Sequence, residues 1–176
     1  ANYGIDSLDG STTSQWRSRL ETIFQALMVH RPRYLQLRFV GVADGGREIV
    51  RVNRTRTGLV VTDFHDLQQK GQEPYLREAR LAVEQSRVYF SNLTLNREHG
   101  KVAKPRTPVI RAVVPVKDET GNVFGFLAIN IDYGVLLRDA LLRFKVDPTI
   151  YAVNESGDYM FRDANGDISD LHFSAD

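Results

Sequence analysis

Two alternating runs flank a glycine turn early in this chain, and that pattern commits the region to an antiparallel hairpin. Residues 34–42 place Leu35, Leu37 and Phe39 on one side and Gln36, Arg38 and Val40 on the other. Residues 48–53 alternate likewise, and Asp44-Gly45-Gly46 between them tolerates the positive φ angles of a tight turn. Strands that pair locally need no helical crossover, so a sheet seeded here is antiparallel.

The flanking segments complete the plan. Ser11, Thr12 and Thr13 offer N-caps for a helix whose apolar residues, Trp16, Leu20, Ile23, Phe24, Leu27 and Met28, recur at helical spacing, and Pro32 stops it by about residue 31. Residues 59–62 look strand-like, and a helix over 73–86 opens near Glu73-Pro74 with Tyr75, Leu76, Ala79, Ala82 and Val83 on one side. Strands follow at 87–96, 108–116 and 122–132, then a helix at 134–144 and a short hairpin at 149–153 and 158–162. Strands do not alternate singly with helices, so the class is α+β with a mainly antiparallel sheet of five strands. Residues 1–145 form one domain on this reading. Residues 146–176 are the opening of a second module, or an annex to the first. Because the first residue is Ala1, the sequence reads as a piece of a longer protein.

Period-two placement sorts the strands into two faces. Centring the first turn on Gly45-Gly46 sets Arg38 opposite Asn53 and Val40 opposite Arg51. One face collects Leu35, Leu37, Phe39, Val50, Val52, Val88, Phe90, Ile110, Ala112, Val114, Leu127, Ile129 and Ile131, and packs on the N-terminal helix. The other collects Arg38, Arg51, Asn53, Tyr89, Ser91, Arg111, Asn130 and Asp132 among apolar Val40, Val109, Val113 and Ala128. Three arginines against one aspartate make that face cationic, and Tyr75 comes with the 73–86 helix if that helix roofs it. Polar groups converging under a cover describe a small-ligand pocket for a carboxylate, whereas a solvated face is the plain alternative.

Other chemistry finds little support. The chain has 176 residues, no cysteine and a net charge of +1, which argues against thiol catalysis, disulfides and general nucleic-acid binding. Eighteen of the 23 basic residues are arginine, whose rigid fork suits carboxylates. Residues 31–56 carry seven arginines, while residues 147–176 carry seven acids against Arg162. Asp163, Asn165 and Asp167 imitate a calcium loop, yet Ile168 stands where glycine is required. The Asp63-Phe64-His65-Asp66 cluster reads as a solvated or capping loop. No phosphate loop, nucleophile elbow or paired metal-histidine motif occurs, so no catalytic residue, metal or cofactor is expected. No apolar run approaches the ~18 residues of a membrane span.

The segments Tyr34-Leu-Gln-Leu-Arg-Phe-Val, Glu48-Ile-Val-Arg-Val, Val88-Tyr-Phe-Ser-Asn-Leu, Thr107-Pro-Val-Ile-Arg and Gly125-Phe-Leu-Ala-Ile-Asn-Ile-Asp together resemble the extracytoplasmic PDC, or Cache, sensor domain. Such domains belong to bacterial membrane histidine kinases, diguanylate cyclases and chemoreceptors. Thr149-Ile-Tyr-Ala-Val-Asn-Glu-Ser-Gly-Asp-Tyr-Met is similar to the opening hairpin of a second, membrane-proximal module in double-domain members.

The resemblance implies a PAS-like sheet in the order 2-1-5-4-3, with a long N-terminal helix on one face and a helix–loop crossover on the other. It also implies a periplasmic location, membrane helices outside this segment, a cytoplasmic output domain and a pocket under the crossover. Amino-acid-binding members follow a Tyr, Arg and Trp pattern from the third strand. Here Tyr89 is followed by Phe90, Ser91, Asn92 and Leu93 without Trp, so the location of the pocket carries over and its contents do not. The expected ligand site is Arg38, Arg51, Tyr75, Tyr89, Ser91, Arg111, Asn130 and Asp132. The expected role is sensing a small anionic metabolite and shifting the helices at 12–30 and 133–145, with a homodimer along the first. A ligand-free structural ectodomain and a PAS-type cofactor binder are the alternatives.

Overall fold

A computed structural model describes residues 10–81, 88–98, 100–144 and 149–174. The 73–86 helix beyond Leu81, Arg87 at the head of the third strand, His99 and Pro148 lie outside the described residues. The chain divides into two compact units, residues 1–92 with 110–131 and residues 93–109 with 132–176.

The first unit opens with α1 (Thr13–Val29), whose start is fixed by a capping box. The Gln15 N–H donates to Thr12 Oγ1 at 3.3 Å, and the Thr12 N–H donates to Gln15 Oε1 at 2.8 Å. Then come β1 (Tyr34–Gly41), β2 (Glu48–Thr55), β3 (Gly58–Val61), α2 (Pro74–Leu81) and β4 (Tyr89–Phe90). Two long strands, β8 (Pro108–Lys117) and β9 (Val123–Asp132), contribute most of their length. The strand order is β3-β2-β1-β9-β8-β4.

The sheet is larger than five strands. β3 adds an edge, pairing Val52 with Val61 and Asn53 with Val60. The third expected strand, 87–96, is broken into β4 and β5 (Thr94–Leu95), each paired on β8 and separated by residues 91–93.

The hairpin register also differs from the simple alternation. Arg38 stands opposite Arg51 and Phe39 opposite Val50, but Val40 stands opposite Glu48. Ile49 is therefore an extra residue, a β-bulge, and the residues before it change face. Beyond Ile49 the alternation runs as expected, with Val50 and Val52 facing α1 and Arg51 opposite Arg38 on the other side, and the bulge moves Glu48 onto that other side.

The α1 face of the sheet holds Leu37, Phe39, Val50 and Val52 packed on Phe24 and Met28. Gly125 makes room here, since a Cβ on it would sit 2.3 Å from the Phe39 ring. Of the six residues in the expected α1 stripe, Trp16, Ile23 and Leu27 point outward, because a helix lying on a sheet buries only a narrow i, i+4 row. Val88 and Phe90 are likewise exposed at the β4 edge.

The opposite face is roofed by α2, whose Tyr75, Leu76 and Ala79 pack on Val40, Val113, Phe126 and Ala128. The approach to α2 is pinned to the β1–β2 turn. The Lys70 N–H donates to the Gly46 carbonyl at 2.8 Å, and the Glu48 N–H to the Gln68 carbonyl at 2.9 Å. A Cβ at Gly71 would lie 1.9 Å from the Gly45 carbonyl oxygen, which is backbone and cannot swing aside. Gly71→Ala is accordingly expected to cost about 1–3 kcal/mol in urea denaturation; an unchanged midpoint would show that this close approach is dispensable.

In the second unit, α3 (Tyr133–Arg143) is capped by Asp132, and β6 (Arg97–Glu98) pairs with β7 (Lys101–Val102). β10 (Ile150–Val153) pairs with β11 (Tyr159–Arg162) around the 154–157 turn. The Asp163 carboxylate accepts the Asn165 and Asp167 amides at 2.9 and 2.8 Å, so this calcium-like segment closes as a turn on its own backbone.

Candidate sensing face beneath α2

Glu48 organises the polar face. The bulge turns it away from the α1 side, and it is 1% exposed between Arg38 at 2% and Arg51 at 6%. Its Oε1 lies 3.0 Å from Arg38 Nη1, and its Oε2 lies 3.3 Å from Arg51 Nη1. The same Oε2 accepts the Gln68 amide at 2.9 Å. Arg51 Nε donates to Thr62 Oγ1 at 2.9 Å, and Asn53 Nδ2 donates to that oxygen at 2.8 Å. Arg38 also donates to Gln36 Oε1, which accepts Asn130 Nδ2 at 2.9 Å. One carboxylate thus serves two buried guanidinium groups, and the neutral side chains of Gln36, Thr62, Asn53 and Asn130 take up part of the remaining polar demand.

A second group lies directly under α2. Tyr75 is 6% exposed, and the Arg111 guanidinium carbon is 4.9 Å from the centre of its ring, a cation–π stack. Burial pushes the Tyr75 hydroxyl above its ordinary pKa, against the pull of nearby Arg38 and Arg111, so it stays a neutral donor and acceptor. That hydroxyl has no hydrogen-bond partner among the described residues. The Arg111 N–H donates to Ser91 Oγ at 3.0 Å, and the Ser91 N–H donates to the Arg111 carbonyl at 2.9 Å, which fixes β8 beside residue 91.

Tyr89 and Asp132 take other places. The Tyr89 hydroxyl donates to the Glu78 carboxylate on α2, tying the roof to β4. Burial and then this bond push the Tyr89 pKa up to about 12. The folded state therefore holds the neutral phenol, and the contribution of this contact is intact below pH ~10 and drains as pH rises toward 12. Asp132 accepts the Val135 amide at 3.1 Å as the N-cap of α3, in the second unit. One oxygen of its carboxylate thus serves a helix end.

Of the expected site, Arg38, Arg51 and Asn130 thus share one buried network, and Tyr75 stacks with Arg111, which Ser91 braces. Glu48, Gln36 and Thr62 were not among the expected site residues. Gln36 shares the register face of Arg38, a signal present in the alternation, whereas Glu48 reaches it only through the bulge. A separate recess of about 200 Å³ is lined by Gly45, Gln69, Gly71, Gln72, Glu73 and Pro74, includes none of the expected residues, and has its one charged group, Glu73, paired with Lys70 at 3.3 Å. Among the described residues no cluster of His, Asp and Glu is placed to hold a metal ion, and no helix is long and apolar enough to cross a membrane.

The first unit thus joins a long N-terminal helix, an antiparallel sheet and a buried polar face beneath α2. A family model for the bacterial histidine kinase sensor domain matches residues 6–169, and the chain belongs to that family. This is a sensing segment and not a catalytic one. Curated proteins return no match.

Solved structures share the fold at low identity. The domain of a sensory box/GGDEF-family protein from Vibrio parahaemolyticus superposes with TM-score 0.66 at 20% identity, covering 83% of this chain and 54% of that one. A structure described as the extracellular domain of histidine kinase vpHK1S-Z8 gives 0.65 at 18%, covering 88% and 52%. The ligand-binding domain of the Campylobacter jejuni chemoreceptor Tlp3, in complex with 4-methylisoleucine, gives 0.57 at 14%, covering 86% and 52%. The chain spans about half the length of these structures.

Proposed function

We propose that this segment is the periplasmic ligand-sensing domain of a membrane-anchored receptor, and that it takes a small carboxylate-bearing metabolite beneath α2, at Tyr75 and Arg111. The observation that carries this is the Tyr75 hydroxyl, buried with no partner among the described residues beside a stacked guanidinium. A buried hydroxyl without a hydrogen bond costs about 1–3 kcal/mol, and a ligand oxygen placed there recovers it. Tyr75 supplies a neutral donor and Arg111 the charge that selects an anion. Binding alters signalling only through differential affinity for two arrangements of the domain, which the flanking helices then report.

The same reading makes residues 146–176 the opening of a second module, consistent with related structures of about twice this length. The outward Trp16, Ile23 and Leu27 on α1 support pairing with a second copy along that helix. Membrane anchors and an output domain belong to segments outside the present sequence.

A thermal-shift screen of organic acids, amino acids and polyamines tests the proposal. Amino acids belong in it because the Tlp3 structures hold isoleucine and valine. Unliganded Tyr75→Phe is expected to gain about 1 kcal/mol, raising Tm by about 2–4 °C, yet to lose the shift that a carboxylate gives wild type. Arg111→Ala loses that shift too. Equal shifts in wild type and both variants would remove this pair from the site.

Glu48 favours a second reading, because Arg38 and Arg51 are already served from within the protein. A ligand-free structural ectodomain then gives no saturable shift with any compound.

A further inference from the structure

We infer that the bulge at Glu48 and Ile49 couples the α2-covered face to the N-terminal end of α1, with Arg17 as the positioning residue that grips it. Adjacent residues here serve opposite sides of the sheet. Glu48 holds Arg38 and Arg51 beneath α2, whereas the Ile49 carbonyl accepts Arg17 Nε at 3.1 Å on the α1 side. The Glu48–Ile49 peptide and the Ile49 Cα lie between the two, so a shift of the Glu48 backbone that follows its arginines reaches that carbonyl through the φ and ψ angles of Ile49. Ile49 is the extra residue of the bulge, opposite no residue of β1, and is freer to rotate than a laddered one. Its side chain folds over Gly41, where a Cβ would lie 2.9 Å from Ile49 Cδ1.

The two ends of α1 are held differently. Arg17 is steadied by stacking 4.6 Å over the Phe64 ring and by Glu21 at 3.8 Å, and it reaches the sheet backbone at the bulge carbonyl. At the other end Arg54 of β2 donates to the carbonyls of Met28, Tyr34 at 3.1 Å and Arg31 at 3.2 Å, closing the C-terminus of α1 onto the hairpin. The C-terminal end is thereby clamped, and the N-terminal end answers the bulge.

The inference rests on the face beneath α2 being the sensing face, but its test contains no ligand, so each can fail alone. Hydrogen exchange of the Arg51 Nε–H and the Gln68 amide, both held in the Glu48 network, is followed by NMR in the 176-residue protein. The Leu37 amide in the core serves as the reference for global opening. Coupling is reciprocal, so Arg17→Ala is expected to speed both exchanges by about fivefold or more relative to Leu37. Arg19→Ala, which removes a neighbouring α1 arginine that stacks on Trp16, leaves them unchanged. Unchanged exchange in Arg17→Ala, an equal rise in both variants, or a rise matched by Leu37 overturns the inference.

Discussion

Glu48→Ala is expected to destabilise the protein by about 3–5 kcal/mol, the cost of leaving buried charge without its partner. Two guanidinium groups share this one carboxylate at 3.0 and 3.3 Å, in surroundings that admit almost no water. The substitution also strips the Gln68 amide of its acceptor and loosens the segment that leads to α2. Glu48→Gln keeps an oxygen for that amide but not the charge, so it recovers only a small part. Urea denaturation followed by circular dichroism reads the difference. A loss below about 1 kcal/mol for Glu48→Ala would mean that water or another group serves the arginines in place of Glu48.

Leu76→Ala carries the next largest effect, about 2–5 kcal/mol. Leu76 is fully buried on α2 against the cluster that includes Val40, Val113, Phe126 and Ala128. Helices shorter than about 12–15 residues are marginal in water, so the described stretch of α2, Pro74–Leu81, stays on the sheet through this side chain and its neighbours. The loss should therefore be local first. Hydrogen exchange over 74–81 is expected to rise more than exchange in β1 and β2, alongside the fall in global stability. Uniform loss of protection across the sheet would show that α2 opens only with the whole unit.

Much of this architecture is visible in the chain because its signals are local. The Asp44-Gly45-Gly46 turn, the Thr12 cap and the alternation of Leu37 and Phe39 with Arg38 each act over a few residues. The hairpin register is different. It depends on whether a strand carries one residue more than its partner, and Ile49 looks like any β-branched strand residue. That single insertion moves Glu48 across the sheet and sets a carboxylate between two of the three arginines of the cationic face. Asp132 shows the opposite case: an aspartate directly before a helix is an N-cap signal, and strand alternation alone had placed it on the ligand face. Tyr75 and Arg111 were legible as residues of one covered face, but their stacking requires α2 in place.

Crystallisation with the carboxylate that most raises the melting temperature tests the central claim most directly. The account predicts density for that molecule beneath α2, with an oxygen within hydrogen-bond distance of the Tyr75 hydroxyl and its carboxylate toward Arg111. Density elsewhere, or a face beneath α2 filled by the protein's own side chains while the ligand is bound, would contradict it.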